Sequence, residues 1–323
     1  MAGFRRPKRK HTGRGIAVSQ WLPLGGESHA FVAIDADGNA LVSTAMLDQG
    51  AGTHTAMRLV AAAELQLPLE KIRIATLDTS EVGPDTGIGG SRGTRIFANA
   101  TRLAAVEGRE RLLAAASEML GVTQTELALA GAGIVRAPSG QSVSYAELAR
   151  MNGSAIRGHG FYKNFESGPE AALCIQVAEV DVDVETGQVH LTHFTSAHST
   201  GTVLNPLMHQ AQIDGGVIMG MGYALMEGVL IDGGNVTTTH FGENKIPSIQ
   251  DIPALKPVVQ QAGADTGPCG GMSIGEPPVV PTGAAIANAV EDAVGARIYD
   301  LPITAEKVLE AIRRRGLREG ALD

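Results

Sequence analysis

The chain has 323 residues, a net charge of −8, 44% hydrophobic and 19% charged residues. That balance belongs to a globular protein with one large or two medium domains. The negative charge argues against non-specific nucleic-acid binding, and no run approaches the ~18 apolar residues that span a membrane. The basic stretch Arg5, Arg6, Lys8, Arg9, Lys10 is not followed by an apolar run, so it is no secretory signal. Residues 1–13 read instead as a flexible basic tail. Two distant cysteines, Cys174 and Cys269, form neither a disulfide framework nor the four-cysteine set of an iron–sulfur cluster. A reducing, cytoplasmic location fits. The 41 glycines stand well above the usual ~7%, which implies tight turns or places where backbone approaches something closely.

In chain order, Gly15 to Leu24 reads as a strand. Phe31-Val32-Ala33-Ile34 and Ala40-Leu41-Val42 flank Asp35-Ala36-Asp37-Gly38-Asn39, a hairpin with Asp-Gly turn chemistry. Gly50 to Thr55 leads into a helix ending near Leu67, with Met57, Val60 and Leu65 on one face. A strand over Ile72 to Ala75 precedes a glycine loop from Pro84 to Thr94 and a helix around 97–120. Thr123 with Glu126, and Ser144 with Glu147, are capping boxes that mark two further helices. The second half repeats this grammar. Val177 to Val184 alternates, Glu185-Thr186-Gly187-Gln188 turns, and Val189-His190-Leu191 returns. A helix from Met208 to Glu227 aligns Ile213, Val217, Met221 and Leu225 in one stripe. Its Gly215, Gly216, Gly220 and Gly222 imply close packing against backbone or ligand. A loop from Phe241 to Gly275 follows, then a helix after Thr282, a short apolar strand, and a last helix capped by Thr304. These patterns predict an α+β protein of two related α/β units, residues 14–167 and 168–323.

Three glycine loops precede helices: Gln49 to Thr55, Thr86 to Thr94, and Gly271 to Pro278. Backbone N–H groups at a helix start suit an anion, though each loop alone reads better as a structural turn. None carries the phosphate-loop or dinucleotide fingerprint. Arg92 adds a cation to the second. Glu276 sits between Gly275 and two prolines among apolar neighbours, a setting that suits a general base or an ordinary loop glutamate. The nine histidines do not cluster, and His190 and His193 are expected on opposite faces of a strand. No protein-held metal site is expected.

Taken in order, these segments resemble the molybdenum-cofactor subunits of the xanthine dehydrogenase and aldehyde oxidase family. Gly50-Ala51-Gly52-Thr53-His54-Thr55 with Ala62-Ala63-Glu64-Leu65 resembles one motif. Pro84 to Arg92, Asn205-Pro206 and Gln212-Ile213-Asp214-Gly215-Gly216 resemble others, and Gly275-Glu276-Pro277-Pro278 is the strongest match. The resemblance implies the second molybdopterin-binding domain of the large subunit, with molybdenum held by a pterin cytosine dinucleotide and not by side chains. It implies cofactor contacts from Gln49, Gly50 and Ala51, from Gly89, Gly90, Ser91, Arg92, Gly93 and Thr94, and from Met219 and Gly275. Glu276 is implied as the catalytic base in hydroxylation of an N-heteroaromatic or aldehyde with oxygen from water.

Two departures stand out: Ala51 and Met219 occupy positions where the family commonly has glutamine. The family's earlier half is absent from this sequence, and Met1 resembles the natural start of a split subunit, as in nicotinate dehydrogenase. The implied partners are the amino-terminal molybdenum half, an iron–sulfur subunit with [2Fe-2S] clusters, an FAD subunit and a small-molecule substrate. Two readings stay open: a catalytic half-subunit, and a degenerate one that only packs in such a complex.

Overall fold

The structure, a computed structural model, describes residues 11–166, 171–261 and 267–319. The chain opens with strands β1 (Thr12–Trp21), β2 (Gly26–Ile34) and β3 (Ala40–Thr44), helix α1 (Thr53–Leu65) and β4 (Ile72–Thr76). A π-helical turn, Gly93–Ala98, runs into α2 (Asn99–Leu120). Short strands β5 (Ala128–Leu129), β6 (Ile134–Arg136) and β7 (Ser142–Ser144), then α3 (Tyr145–Met151), lead to β8 (Ile156–Asn164). The rest comprises β9 (Ala172–Val182), β10 (Val189–Ser199), α4 (Pro206–Leu225), β11 (Ile231–Asp232), β12 (Asn235–Val236) and α5 (Phe241–Asn244). It ends with β13 (Ala254–Gln260), α6 (Thr282–Val294) and α7 (Ala305–Glu319).

Two four-stranded sheets share one topology. The first has the order β8-β2-β3-β4 and the second β1-β9-β10-β13. In each, the first three strands are antiparallel and the last joins in parallel. One helix (α1 or α4) lies between the third and fourth strands in sequence, and another (α2 or α6) follows the fourth. The α+β architecture of two related units is therefore present. The units exchange their first strands, however. β1 precedes β2 in sequence but pairs with β9, while β8 precedes β9 but pairs with β2. The boundary expected near Gly168 falls outside the described residues, and the division 14–167 and 168–323 is not how the sheets divide. Of the tail expected at 1–13, residues 1–10 also lie outside the described residues, and Thr12 and Gly13 belong to β1.

Strict alternation explains the layers. Ala30, Val32 and Ile34 of β2 face α1 and α2 and join Leu65, Ala104 and Leu112 in one core. Ala178, Val180 and Val182 of β9 face α4 and α6 and join Val217, Met221 and Ile286 in another. Glycine lets the exchanged strands touch helix backbone directly. A Cβ at Gly158 or Gly160 would collide with the carbonyl oxygens of Ala104 or Ala100. A Cβ at Gly13 or Gly15 would collide with those of Ala289 or Ala285.

Several local expectations change. The Thr123 box closes only a 3-10 turn, Gln124–Glu126, because Leu127 is already extended at φ −87°, ψ 143°. The Ser144 box caps α3 as expected, with Ser144 accepting from Glu147 N–H. The loop at 241–275 contains an unforeseen strand, β13, whose parallel partner β10 is remote in sequence. The apolar segment between α6 and α7 forms no strand. A bulge between Leu191 and His193 puts His190 and His193 on the same exposed face, not opposite ones. In α4, Gly216 and Gly220 pack against Pro278 and Thr282, but Gly215 faces open space.

Gly160→Val should lower stability by roughly 3 kcal/mol, because β8 cannot retreat from α2 without leaving its sheet. Gly215→Ala is the matched control, expected to be neutral or stabilising by up to ~1 kcal/mol. Urea midpoints of the two variants check this.

Candidate functional site

The starts of equivalent helices meet between the two units. Gly52 and Thr53 at the start of α1, and Gly93 and Thr94 at the π turn before α2, line one cavity of about 340 Å³. Asn205, Met208, His209 and Gln212 at the start of α4, with the Met272–Glu276 loop ahead of α6, complete the wall. Its volume is in the range of small-molecule sites. Glu276 is the one carboxylate in the lining, and no lysine or arginine lines it. Any attraction for an anion at the wall therefore rests on helix starts and not on described side-chain cations.

The wall is fixed by bonds between distant segments. Ser91, in the left-handed region at φ 57°, donates from Oγ to Glu276 Oε2 at 2.6 Å. Ser91 Oγ in turn accepts from Glu276 N–H at 2.8 Å. Glu276 is thus half-buried and bonded across the cavity, not a free loop glutamate. Behind it, the fully buried Gln176 donates from Nε2 to the Pro278 carbonyl at 2.6 Å. Thr282 Oγ1 reaches the same carbonyl (3.0 Å) and Gln176 Oε1 (2.8 Å). The Glu-Pro-Pro turn is therefore held from below by a satisfied buried network.

The first glycine loop is organised by a residue that sequence reasoning missed. Asp48 accepts from the N–H groups of Gly50, Gly52 and His54 at 3.0 to 3.1 Å. Partial desolvation pushes its carboxyl pKa up, but the three backbone bonds outweigh it and hold the pKa below the usual range. Those amides are thereby satisfied internally, so this loop does not offer them to an anion. A carboxylate two and four residues ahead of such glycines is a turn signal that the sequence does carry. Arg92 also differs from expectation. Its guanidinium turns to the carbonyls of Gly89 and Gly25, and Arg95 reaches those of Pro23 and Glu166. Both arginines brace the loop.

Of the predicted site residues, Gln49, Ala51, Gly89, Gly90, Ser91, Gly93, Thr94, Gly275 and Glu276 line the cavity together. Gly50 and Arg92 lie in the same loops without lining it. Met219 does not join them, being 65% exposed on α4. Asn205, His209, Gln212 and Ser273 line the cavity without having been singled out as site residues. His209 Nε2 and Ser273 Oγ are buried there with no hydrogen-bond partner among the described residues. Among those residues no His, Cys, Asp or Glu group could hold a metal ion. Orphaned polar atoms, helix starts and open space above Gly87 and Gly89 fit a polar, anionic organic cofactor.

The profile of the molybdopterin cofactor-binding domain matches residues 2–253. The chain is 30% identical over 315 residues to the probable hypoxanthine oxidase XdhD of Escherichia coli K12, covering 94% of this chain and 32% of that protein. It is 30% identical over 322 residues to the putative xanthine dehydrogenase molybdenum-binding subunit XdhA of the same organism, covering 94% and 43%. Quinoline 2-oxidoreductase from Pseudomonas putida 86 superposes with a TM-score of 0.87 at 25% identity, covering 94% of this chain and 42% of that one. The chain thus spans between about a third and under half the length of these relatives.

Behind the cavity wall, His198 Nε2 lies 2.7 Å from Ser196 Oγ, and its Nδ1 has no partner among the described residues. Burial, aided by His209, lowers its pKa to about 4. The same burial pushes the neighbouring Cys174 thiol up to about 11. Between the folded value and the unfolded ~6.5, the unfolded chain binds a proton that the folded chain refuses. Stability should therefore fall as pH drops from about 6.5 toward 4, at up to ~1.4 kcal/mol per unit. The urea midpoint measured against pH should show this fall, and His198→Gln should make it shallower, with His209, whose pKa burial also lowers, supplying the remainder.

Proposed function

The chain belongs to the molybdopterin cofactor-binding domain family, and from that premise we propose that it is the cofactor-holding half of a multi-subunit molybdenum hydroxylase. The observation that carries this reading is the Ser91–Glu276 pair, which sets a single carboxylate where the glycine loops meet. When bound, the cofactor would supply the two-electron oxidant. Gly89, Gly90, Gly93 and Thr94 would hold its pterin and phosphates, and Gly275 would leave room beside the metal. Glu276 would take the proton from the attacking water-derived oxygen. Ser91 occupies Oε2 and leaves Oε1 to receive that proton, while Gln176 and Thr282 keep the loop from drifting.

The cofactor is proposed as the cytosine dinucleotide form. An N-heteroaromatic substrate is favoured by the names of the hypoxanthine oxidase and quinoline oxidoreductase relatives. An aldehyde is the alternative, since the Desulfovibrio gigas aldehyde oxidoreductase also shares the fold, with a TM-score of 0.79. Two cysteines fall short of the four that a cluster takes, so [2Fe-2S] clusters are assigned to a partner, and FAD and the front part of the molybdenum subunit are proposed as further bodies of the same assembly. A cytoplasmic site is proposed with them. No helix among the described residues is long and apolar enough to cross a membrane. A second reading, a non-catalytic member, draws support from Ala51 in the lining and from Met219 outside it.

Two measurements separate these. The chain purified with its native partners should contain stoichiometric molybdenum and release a cytidine nucleotide on acid hydrolysis. An intact complex with neither would establish the non-catalytic reading. Glu276→Gln in the assembled complex should lower kcat at least ~10²-fold with metal content unchanged. Unchanged turnover would remove Glu276 as the base.

A further inference from the structure

The two units differ most in one connection. Between α1 and β4 the chain needs only residues 66–71, whereas between the equivalent α4 and β13 it uses residues 226–253. Nothing in the shared topology requires this excursion, and long connections of this kind usually carry function. From 229 to 251 almost every residue is exposed. Its apolar side chains point outward, with Ile231 67%, Phe241 77% and Ile249 84% exposed. Monomers rarely leave such a patch uncovered.

The arm nevertheless has a defined shape. Thr237 N–H donates to the Leu230 carbonyl at 2.9 Å, closing the β11–β12 hairpin. Glu243 accepts from Thr239 N–H at 2.7 Å, and Asp251 accepts from Ser248 N–H at 2.8 Å. Val229, Val236, His240 and Phe241 line a second concavity, of about 560 Å³. A segment shaped by local hydrogen bonds, with its apolar side chains turned outward, is preorganised for docking.

We propose that the 226–253 arm is the clasp by which this chain binds the front part of the molybdenum subunit. The inference rests on the half-subunit reading above. Three observations select this occupant. The family match runs to residue 253 and so includes the whole arm. More than half of each relative lies outside the stretch that matches this chain, and on the half-subunit reading that remainder is the neighbour available to this surface. The arm leaves the far end of α4, about 25–30 Å along a 20-residue helix from its cavity-lining start. A partner can therefore grip the arm without closing the site.

The test uses the chain in its native assembly. Hydroxyl-radical labelling of Phe241 and Ile249 is compared with the same residues in the denatured chain. A photo-crosslinker in place of Ile249 then identifies the neighbour. Protection of both residues, with cross-links to the chain bearing the amino-terminal molybdenum half, is the expected result. Ile231→Glu with Ile249→Glu should weaken co-purification roughly tenfold or more. Labelling near the denatured rate, a chain that purifies alone, or cross-links to a second copy, to the iron–sulfur chain or to the flavin chain would each overturn the clasp. Labelling and cross-linking do not depend on molybdenum, so a metal-free assembly with a protected arm would sink the functional reading while leaving the clasp intact.

Discussion

The exchange of first strands between the two units constrains the rest of the molecule. β1 completes the sheet of β9, and β8 completes that of β2, so neither unit can close its core without a segment from the other's stretch of chain. Each exchanged strand carries glycines that let it touch a helix backbone: Gly13 and Gly15 under α6, Gly158 and Gly160 under α2. Those contacts fix where α2 and α6 lie, and therefore where the loops ahead of them meet. The cavity is a consequence of this interlock as much as of its own residues.

Within that frame, the site is electrostatically economical. No lysine or arginine is among its described lining residues, so attraction for an anion rests on helix starts, whose dipoles need no flexible side chain. Arg92 and Arg95 spend their donors on backbone carbonyls that brace the 89–94 loop. The single carboxylate is tied on its far oxygen by Ser91 and from below by the Gln176–Thr282–Pro278 network. Preorganisation of this kind avoids rearranging dipoles during a reaction.

Much of this was legible in the sequence, because the patterns involved are local. Hairpins, helix faces and the Ser144 cap follow from residues a few positions apart, and the ordered glycine motifs located most of the lining. What stayed hidden depends on long-range pairing. No local signal tells β1 to skip its neighbour and pair with β9, where Trp21 meets Ala172, 151 residues further along the chain. β13 alternates weakly and contains Pro257, so only its parallel partner β10 identifies it. The bulge at Thr192 inverted the expectation for His190 and His193. Met219 matched a motif, yet its position on the helix turns it away from the cavity.

The register also explains how a duplicated frame holds a site with two unlike halves. Gly160 pairs with Ala30 just as Gly15 pairs with Ala178, so Ser28 and Gln176, two residues earlier on each central strand, are equivalent positions. Both are fully buried and polar, and both anchor the loop ahead of the second helix of their unit. Ser28 Oγ donates to Asp85 at 3.0 Å, and Gln176 Nε2 donates to the Pro278 carbonyl. The anchored loops then diverge: one presents the Ser91 hydroxyl, the other the Glu276 carboxylate. An arrangement that repeated one chemistry twice would place like groups face to face, where two carboxylates could not both stay ionised. Divergence at these paired loops gives one acceptor and one donor, which is what a lone base needs to keep its orientation.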